Sequence, residues 1–424
     1  MMPNKKSILL FVMLLSSIVS LAQTGTIRGE VTNAISNEAI PFANVVVQST
    51  GAGVSTDLDG KYEITDLAPG VYNLIVTSVG FQRKTVFEIE VTISRVAFVP
   101  IKLEEVTVEI EAAEVVAEQF SNREEAPVSV RTIGVNEVKR NPGGNRDISR
   151  ALRSLPGVAS TPSFRNDIII RGGSPNENRF YIDGIEIPNI NHFATQGSAG
   201  GPVGLLNVAF INDVTLSTSA FGSQYDNPLS GVLQFKQRDG NKERFNTNIR
   251  VSATDAAFTF EGPLFKSTKE ESNTSFLLSI RRSYLQALFK LIGLPIRPDY
   301  WDYQYKLSHQ IDEYNNLYFI GLGSVDDFTV EAPEDYDEEA QAVLEQAPFI
   351  KQKTNSIGVT WKKRFKDGSG YMETTLSNNR LENIFTNYLD PEKETGIIFR
   401  NDAVESETKL RHQLTKFLND YCLK

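Results

Sequence analysis

From about Lys242 to the C-terminus, apolar and polar residues alternate over long runs, which predicts β-strands with two different faces. The clearest run is WDYQYKLSHQID, residues 301–312. One side of it is mostly aromatic and aliphatic: Trp301, Tyr303, Tyr305, Leu307, His309 and Ile311. The other side is polar: Asp302, Gln304, Lys306, Ser308, Gln310 and Asp312. The run FNTNIRVSA repeats the pattern and places on its outer side Phe245, Thr247, Ile249, Val251 and Ala253. Sheets of soluble proteins also alternate, but the strand lengths and the tyrosines favour an apolar face toward lipid and a polar face toward a lumen.

The connections between these strands alternate in length. DEYNN and KDGSG are short, whereas LFKLIGLPIRPDYW and DDFTVEAPEDYDEEAQAVLEQAPF are long. Outer-membrane barrels keep short turns in the periplasm and long loops outside the cell. The acidic run Glu331–Glu345 is therefore predicted to be extracellular, either as a solvated, repulsive loop or as a collector of cationic ligands.

Short β-rich runs between Thr24 and Leu103 predict a small β-sandwich. They include GTIRGEVTN, KYEITDL and VYNLIVTSVGF. TDLDGKYEI contains acidic residues but runs directly into a strand, so a turn is favoured over a calcium loop, which needs a longer ligand series. The following acidic stretch, Lys102–Pro127, alternates valine with charge. It fits either a linker or last strand, or a peptide that adds to the edge of a partner's sheet.

Residues from about Val128 to Asp239 predict a mixed α/β unit. GGNRDISRALRSLPGV fits a helix with one apolar face, which carries Ile148, Leu152 and Leu155. DIIIRGG and NRFYIDGIEI are predicted to pair as a hairpin, with Asp183-Gly184 as a turn signal. The glycine-rich stretch ATQGSAGGPVGLLNV lacks both the lysine and the strand–loop–helix order of a phosphate-binding loop.

The N-terminus and the composition limit the classes of function. Residues 1–22 combine Lys5 and Lys6 with a short apolar run and small residues, which predicts a signal peptide. With 43 basic and 53 acidic residues, the chain lacks the basic balance of a nucleic-acid-binding protein. The three histidines, His192, His309 and His412, have no zinc-site spacing, and Cys422 is the single cysteine. No nucleophile motif is present, so we expect no catalytic, cofactor-binding or metal-binding residues and no cofactor.

Two segments resemble known families. IRGEVTN, IPFANVVV, VSTDLDGKYEI and LAPGVYNLIVTSVGF resemble the carboxypeptidase-regulatory-like domain, a transthyretin-like sandwich without catalytic residues. LRSLPGV, IIIRGGSPNENRFYIDGIEIPN and LLNVAFINDVTLSTSAFGSQYDNPLSGVLQFK resemble the plug domain of TonB-dependent outer-membrane receptors. The resemblance implies a mainly β chain in five parts: signal peptide (1–22), sandwich (24–103), TonB-box-like linker (104–127), α/β plug (128–239) and the first strands of a transmembrane β-barrel (242–424).

The resemblance also implies partners and site residues. A TonB-type energy-coupling protein would bind near residues 104–110, at Glu105, Val106, Thr107 and Val108. The plug motif and its contacts with the barrel would use Arg171, Gly172, Gly173, Asp183, Gly184 and Glu186. Arg171 and Glu186 are candidates for salt bridges that hold or release the plug. The other expected partners are outer-membrane lipid and a small-molecule ligand of unknown identity; no nucleic acid is expected.

The barrel segment is too short for the implied architecture. Residues 242–424 provide about eight strands, whereas a barrel that encloses a plug needs about 22, and an open sheet edge is not tolerated in lipid. We therefore expect the N-terminal part of a receptor, cut short before the terminal aromatic residue. The implied function is active uptake of a scarce nutrient across the outer membrane; the alternative is a binding or signalling module without transport.

Overall fold

The computed structural model describes residues 24–33, 38–92, 96–103, 130–141, 147–159, 166–194, 200–219, 221–222, 224–252, 254–265, 272–331, 344, 347–367, 369–418 and 421–423. The chain forms two compact units, Met1–Val115 and Val116–Lys424. Within the described ranges, no helix combines the length and the apolar character needed to cross a lipid bilayer.

The first unit is a β-sandwich, as predicted. Its described strands are β1 (Gly25–Asn33), β2 (Asn44–Val47), β3 (Gly53–Ser55), β4 (Lys61–Leu67), β5 (Gly70–Thr77), β6 (Lys84–Val91), β7 (Ala97–Phe98) and β8 (Ile101–Leu103). One sheet places β1 beside β4, β7 and β8, and the other has the order β3-β2-β5-β6. Every second residue of β1 is buried, so its inner face packs into the core of the sandwich. Asp57 accepts the backbone N–H groups of Asp59 at 3.0 Å and Lys61 at 2.7 Å, which confirms the predicted turn before β4.

The second unit begins with an α/β part, residues 130–239. Its elements are β9 (Val130–Gly134), α1 (Val135–Arg140), α2 (Ile148–Leu152), β10 (Val158–Ala159), β11 (Ile169–Ile170), β12 (Asn178–Ile182), β13 (Ile185–Ile187), β14 (Asn191–His192), β15 (Val203–Gly204), β16 (Ile211–Ser217) and β17 (Gly231–Gln237). The main sheet has the order β13-β12-β17-β16-β9, in which β12 and β17 are parallel. Asp147 caps α2 by accepting the Ser149 N–H, and the apolar face predicted for this helix is buried.

One predicted strand pairing is wrong. Residues 167–173 do not form a hairpin with residues 178–187, because Ile169–Ile170 pairs with Val158–Ala159 instead. A 3-10 turn at Pro175–Glu177 then redirects the chain. The hairpin lies wholly within residues 178–187, where β12 and β13 pair around Asp183-Gly184.

The rest of the second unit is a nine-stranded sheet in which each strand is antiparallel to the next one along the chain. Its elements are β18 (Asn246–Val251), β19 (Asp255–Pro263), β20 (Thr274–Ser283), α3 (Leu285–Leu291), β21 (Ile296–Gln310), β22 (Asn315–Val330), β23 (Phe349–Arg364), β24 (Gly370–Asp390), β25 (Thr395–Leu418) and β26 (Tyr421–Leu423). The strands lengthen along the chain, from 6 residues in β18 to 24 in β25.

The predicted faces of β21 are confirmed. Trp301 is 50% exposed, whereas its polar neighbours Asp302, Gln304, Lys306 and Ser308 are buried. The predicted long loop at residues 288–301 is wrong in part, because α3 occupies its beginning and β21 starts at Ile296. Most of the acidic run 331–345 lies outside the described residues. Leu277, Ile320 and Leu322 of the sheet join the apolar core of the α/β part, so the two parts pack directly on each other.

Candidate functional site: the polar interface between the α/β part and the sheet

The inward face of the sheet meets the α/β part through buried polar and charged residues. Alternate residues of a strand point to the same side, so β21 directs Asp302, Gln304, Lys306 and Ser308 toward the α/β part. Gln304 accepts the backbone N–H of Asn207 at 3.0 Å, and the Gln352 side chain donates to the Ala194 carbonyl at 2.9 Å. These contacts bind main-chain groups and therefore fix the position of the α/β part against the sheet.

The first charged group is the Lys306 cluster, consisting of Lys306, Asp183, Asp239 and the Gln237 carbonyl. Lys306 Nζ lies 3.0 Å from Asp183 Oδ2, 2.9 Å from Asp239 Oδ1 and 3.1 Å from Gln237 O. The lysine side chain is only 5% exposed, so its charge is compensated by these three oxygens and not by bulk water. One lysine of the sheet thus holds both the tip of the β12–β13 hairpin and the segment that follows β17.

The carboxylates of this cluster are positioned by further hydrogen bonds. Asp183 Oδ1 accepts the Gln237 N–H at 3.0 Å, and Asp239 Oδ1 accepts from the Ser308 hydroxyl at 2.6 Å. Burial alone raises the pKa of Asp239, but the Lys306 ammonium and the Ser308 hydroxyl outweigh it and hold that pKa below its ordinary value. Asp239 is therefore ionised at neutral pH, as its ion pair with Lys306 requires.

The second charged group is the Lys409 cluster, in which Lys409 of β25 contacts Glu186, Asp226 and Glu407. Lys409 Nζ lies 2.7 Å from Glu186 Oε2, 3.2 Å from Asp226 Oδ2 and 3.1 Å from Glu407 Oε1. Tyr181 donates its hydroxyl to Glu186 at 3.4 Å. Burial and the nearby Glu186 carboxylate raise the pKa of Tyr181 to about 12, so this phenol stays a neutral donor. The cluster joins β13 to β25. The hairpin is therefore held by a second strand of the sheet, in addition to β21, which carries Lys306.

Gly184 brings the hairpin tip into direct contact with the sheet. Its φ is +90°, and a Cβ at this position would lie 2.6 Å from Arg411 Nη2 and 2.7 Å from Glu373 Oε1. Asp183 precedes it with a φ of +44°, so both turn residues have the left-handed backbone that tight hairpins require. A side chain at residue 184 would have to displace the ends of the Arg411 and Glu373 side chains.

The remaining predicted site residues lie elsewhere. Arg171 is exposed, has a φ of +50°, and its backbone N–H donates to the Gly157 carbonyl at 3.0 Å. Gly172 also has a positive φ, of +79°, with open space where a Cβ would be. A Cβ on Gly173 would lie 2.2 Å from Ser230 Oγ, so this glycine permits a close approach within the α/β part. Of the predicted set, the structure brings only Asp183, Gly184 and Glu186 to the sheet; Glu105, Val106, Thr107 and Val108 lie outside the described residues.

A third charged group was not predicted from the sequence. The fully buried His192 of β14 lies between two carboxylates of the sheet, with Nδ1 2.8 Å from Asp326 Oδ1 and Nε2 3.2 Å from Asp302 Oδ2. Arg281 Nε donates to Asp302 Oδ2 at 2.6 Å, and the Tyr300 ring stacks on the imidazole with 3.9 Å between centroids. The sequence offered one signal, which was the inward position of Asp302 on β21, but it did not indicate the partner.

Comparisons with known proteins match both units. The chain matches the family model of the CarboxypepD_reg-like domain over residues 27–116 and that of the TonB-dependent Receptor Plug Domain over residues 122–232. It is 29% identical over 247 residues to the TonB-dependent transporter Oar of Myxococcus xanthus, an alignment that covers 54% of this chain and 22% of Oar. It is 25% identical over 246 residues to the TonB-dependent receptor SusC of Bacteroides thetaiotaomicron, covering 56% of this chain and 23% of SusC. The aligned part thus spans less than a quarter of either relative.

Similar solved structures have lower sequence identity. A variant of the ferric enterobactin receptor PfeA from Pseudomonas aeruginosa is 15% identical with a TM-score of 0.49, over 69% of this chain and 47% of that one. The siderophore receptor PirA from Acinetobacter baumannii is 14% identical with a TM-score of 0.49, over 68% of this chain and 45% of that one.

Proposed function

Since this chain belongs to the TonB-dependent receptors, we propose that it serves in an outer-membrane transporter for active uptake of a scarce ligand. In this proposal the α/β part is the plug, and the nine-stranded sheet is the first part of the barrel wall. The ligand binds on the extracellular side, and a TonB-type protein in the periplasm pulls on the chain ahead of the plug. The family is not enzymatic, and the proposed transport involves no covalent chemistry.

The observation that carries the proposal is the ionic contact between the hairpin tip and the sheet. Lys306 is buried against Asp183 and Asp239, and Lys409 pairs with Glu186. Buried ion pairs contribute little net stability compared with apolar packing, because both partners lose their hydration. They do position one part against another, and water that enters can compensate them when the parts separate. Such contacts suit a plug that must stay seated at rest and move during transport.

The proposed contact with the coupling protein is the segment Glu105–Val108. Its alternating valines suit pairing with the edge of a partner's sheet, where main-chain hydrogen bonds supply affinity. Proline at residue 106 removes a main-chain donor and disfavours strand pairing. We expect Val106→Pro to weaken binding of the purified periplasmic domain of a TonB-type protein by about tenfold or more, the loss of roughly one to two hydrogen bonds.

A matched control places proline in the same linker but outside the proposed contact. Val115→Pro should leave affinity for the same periplasmic domain within about twofold of the unsubstituted chain. Both variants are made in the intact chain, and binding is measured by fluorescence anisotropy of the labelled periplasmic domain. Equal binding by the Val106→Pro variant and the unsubstituted chain would remove the segment from the proposal.

The alternative is a binding or signalling module in which the sandwich and the plug recruit partners without transport. Fractionation of the expressing cell distinguishes the two. An outer-membrane band whose electrophoretic mobility changes on heating favours the transporter, because folded barrels resist detergent until heated. A soluble periplasmic species favours the module.

A further inference from the structure

We propose that His192 is a proton-binding site that controls how firmly the segment 190–194 is seated against the sheet. This proposal rests on the transport function proposed above, and it gives the plug a contact with the sheet whose strength depends on pH. His192 is fully buried, and its carboxylate partners come from two adjacent strands, β21 and β22. The next residue is held at the same place, because the Phe193 N–H donates to Asp326 Oδ2 at 3.1 Å.

The geometry around the imidazole accommodates two protonation states without movement of heavy atoms. In the neutral ring, Nδ1–H donates to Asp326 and Nε2 accepts from Arg281 Nη2, which lies 3.1 Å away. In the protonated ring, Nε2–H donates instead to Asp302 Oδ2 at 3.2 Å. Arg281 retains bonds to the Gly204 and Leu205 carbonyls in both states. The hydrogen bonds can therefore be exchanged locally, and the main difference between the states is the charge.

The balance of charge favours the protonated ring. Arg281 on β20 carries one positive charge, while Asp302 on β21 and Asp326 on β22 carry two negative charges. A neutral His192 leaves one negative charge in excess in a buried site, and a protonated His192 cancels it. Tyr300 faces the ring as a neutral phenol. The next carboxylate, Asp255 on β19, is compensated by its own pair with Arg250 at 2.6 Å.

Charged groups on the α/β side do not change this balance. Asp147 approaches from α2, where it accepts the Gly204 N–H at 3.0 Å, the Ser149 N–H at 2.8 Å and an Asn166 N–H at 2.9 Å. Burial raises the pKa of Asp147 despite these bonds. This carboxyl group is already fully hydrogen-bonded within the α/β part, so the two carboxylates of the sheet dominate the field at His192.

The direction of the pH effect follows from the two carboxylates. Burial alone lowers the pKa of His192, but Asp326 and Asp302 outweigh it and raise the pKa above its ordinary value. A group whose pKa is raised in the seated state contributes stability that is fully present below its ordinary pKa, about 6.5. That stability is lost as the pH rises through the raised pKa. The segment is therefore seated most firmly in mildly acidic conditions and loosens as the pH becomes alkaline.

Hydrogen–deuterium exchange of the intact chain measures this directly. Exchange rates of amides 190–194, corrected for the intrinsic effect of pH, are compared from pH 6 to pH 9. We expect protection to fall over this range, by a factor of ten for each pH unit that separates the ordinary pKa from the raised one. The His192→Gln variant keeps a donor but cannot titrate, so its corrected rates should not change with pH.

The control is a histidine of the same sheet that lies on the opposite face of β21 from the residues that contact the α/β part. His309 lies on the outer face of β21 and bonds Thr274 Oγ1 at 2.8 Å. His309→Gln should reproduce the pH profile of the unsubstituted chain. A flat profile in the unsubstituted chain, or an unchanged profile in His192→Gln, would overturn the proposal. If the His192→Gln variant does not seat its plug, the Asp326→Asn variant is measured instead. It should lower the pH at which protection of amides 190–194 is half lost, and an unchanged midpoint would also overturn the proposal. None of these measurements depends on transport, so they separate this proposal from the function above.

Discussion

Replacing Lys306 by methionine tests whether charge holds the hairpin tip against the sheet. Methionine retains most of the side-chain volume but removes the ammonium from three oxygens at 3.0, 2.9 and 3.1 Å. Asp183 is 13% exposed and would keep only the Gln237 N–H as a donor, so it bears most of the loss. Asp239 is 42% exposed and keeps the Ser308 hydroxyl, so water can compensate it and its share is small.

These contributions give the expected magnitude. A buried charge left without its partner costs about 3–5 kcal/mol, and a charged hydrogen bond is worth about 1.5–3 kcal/mol. With little contribution from Asp239, we expect Lys306→Met to destabilise the seated hairpin by about 3 kcal/mol, which is roughly a hundredfold. Because Asp183 causes most of this loss, the double variant Lys306→Met/Asp183→Asn should recover more than half of it.

Hydrogen exchange of amides 178–187 in the intact chain provides the measurement. Lys363→Met is the control, since Lys363 lies on the opposite side of β23 from the buried Thr360 and makes no ion pair among the described residues. The control should change protection by less than about threefold. Equal protection in Lys306→Met and in the control would refute the assignment, and so would a double variant that is no better seated than the single one.

Two further substitutions test the rest of the interface by the same exchange measurement. Gly184→Ala should loosen the hairpin by about 1–3 kcal/mol, because residue 184 has a φ of +90° that strains any residue with a Cβ; protection equal to that of the unsubstituted chain would contradict this. Lys409→Met should cost about 1–2 kcal/mol, less than Lys306→Met, because Lys409 is 25% exposed, Asp226 and Glu407 can be hydrated, and Glu186 keeps the Tyr181 hydroxyl as a donor; a larger loss than at Lys306 would contradict the ranking by burial.

Periodicity predicted the parts of the fold that depend on local pattern. A period of two placed Trp301 on the outer face of β21 and Lys306 on the inner face, and the structure confirms both. The Asp183-Gly184 dipeptide marked the hairpin turn, since few other pairs accept a positive φ at both positions. These features follow from backbone sterics and the alternation of side chains, which a single sequence records.

The errors and omissions concern long-range pairing. The strand at Ile169–Ile170 was assigned to the wrong partner, because a two-residue strand carries no register information of its own. Lys306 was placed on the correct face, but nothing in the sequence connects it with Asp183, which lies 123 residues earlier. His192 was considered only as a metal ligand and set aside for its spacing. Alternation along β21 and β22 places the side chains of its partners Asp302 and Asp326 on the inner face of the sheet. It does not indicate which residue of the α/β part they contact.

The length of β25 has a consequence for the outer surface of the proposed receptor. A transmembrane strand needs about 9–11 residues, whereas β24 has 21 and β25 has 24. Both faces of residues 395–400 are largely exposed. In the proposed receptor, a tilt of about 40° would leave roughly 30 Å of the β24–β25 pair beyond the hydrocarbon. A molecule that approaches the plug along the membrane surface would therefore first meet the paired ends of β24 and β25. The distance that this pair extends beyond the hydrocarbon would limit the size of molecules that pass over it.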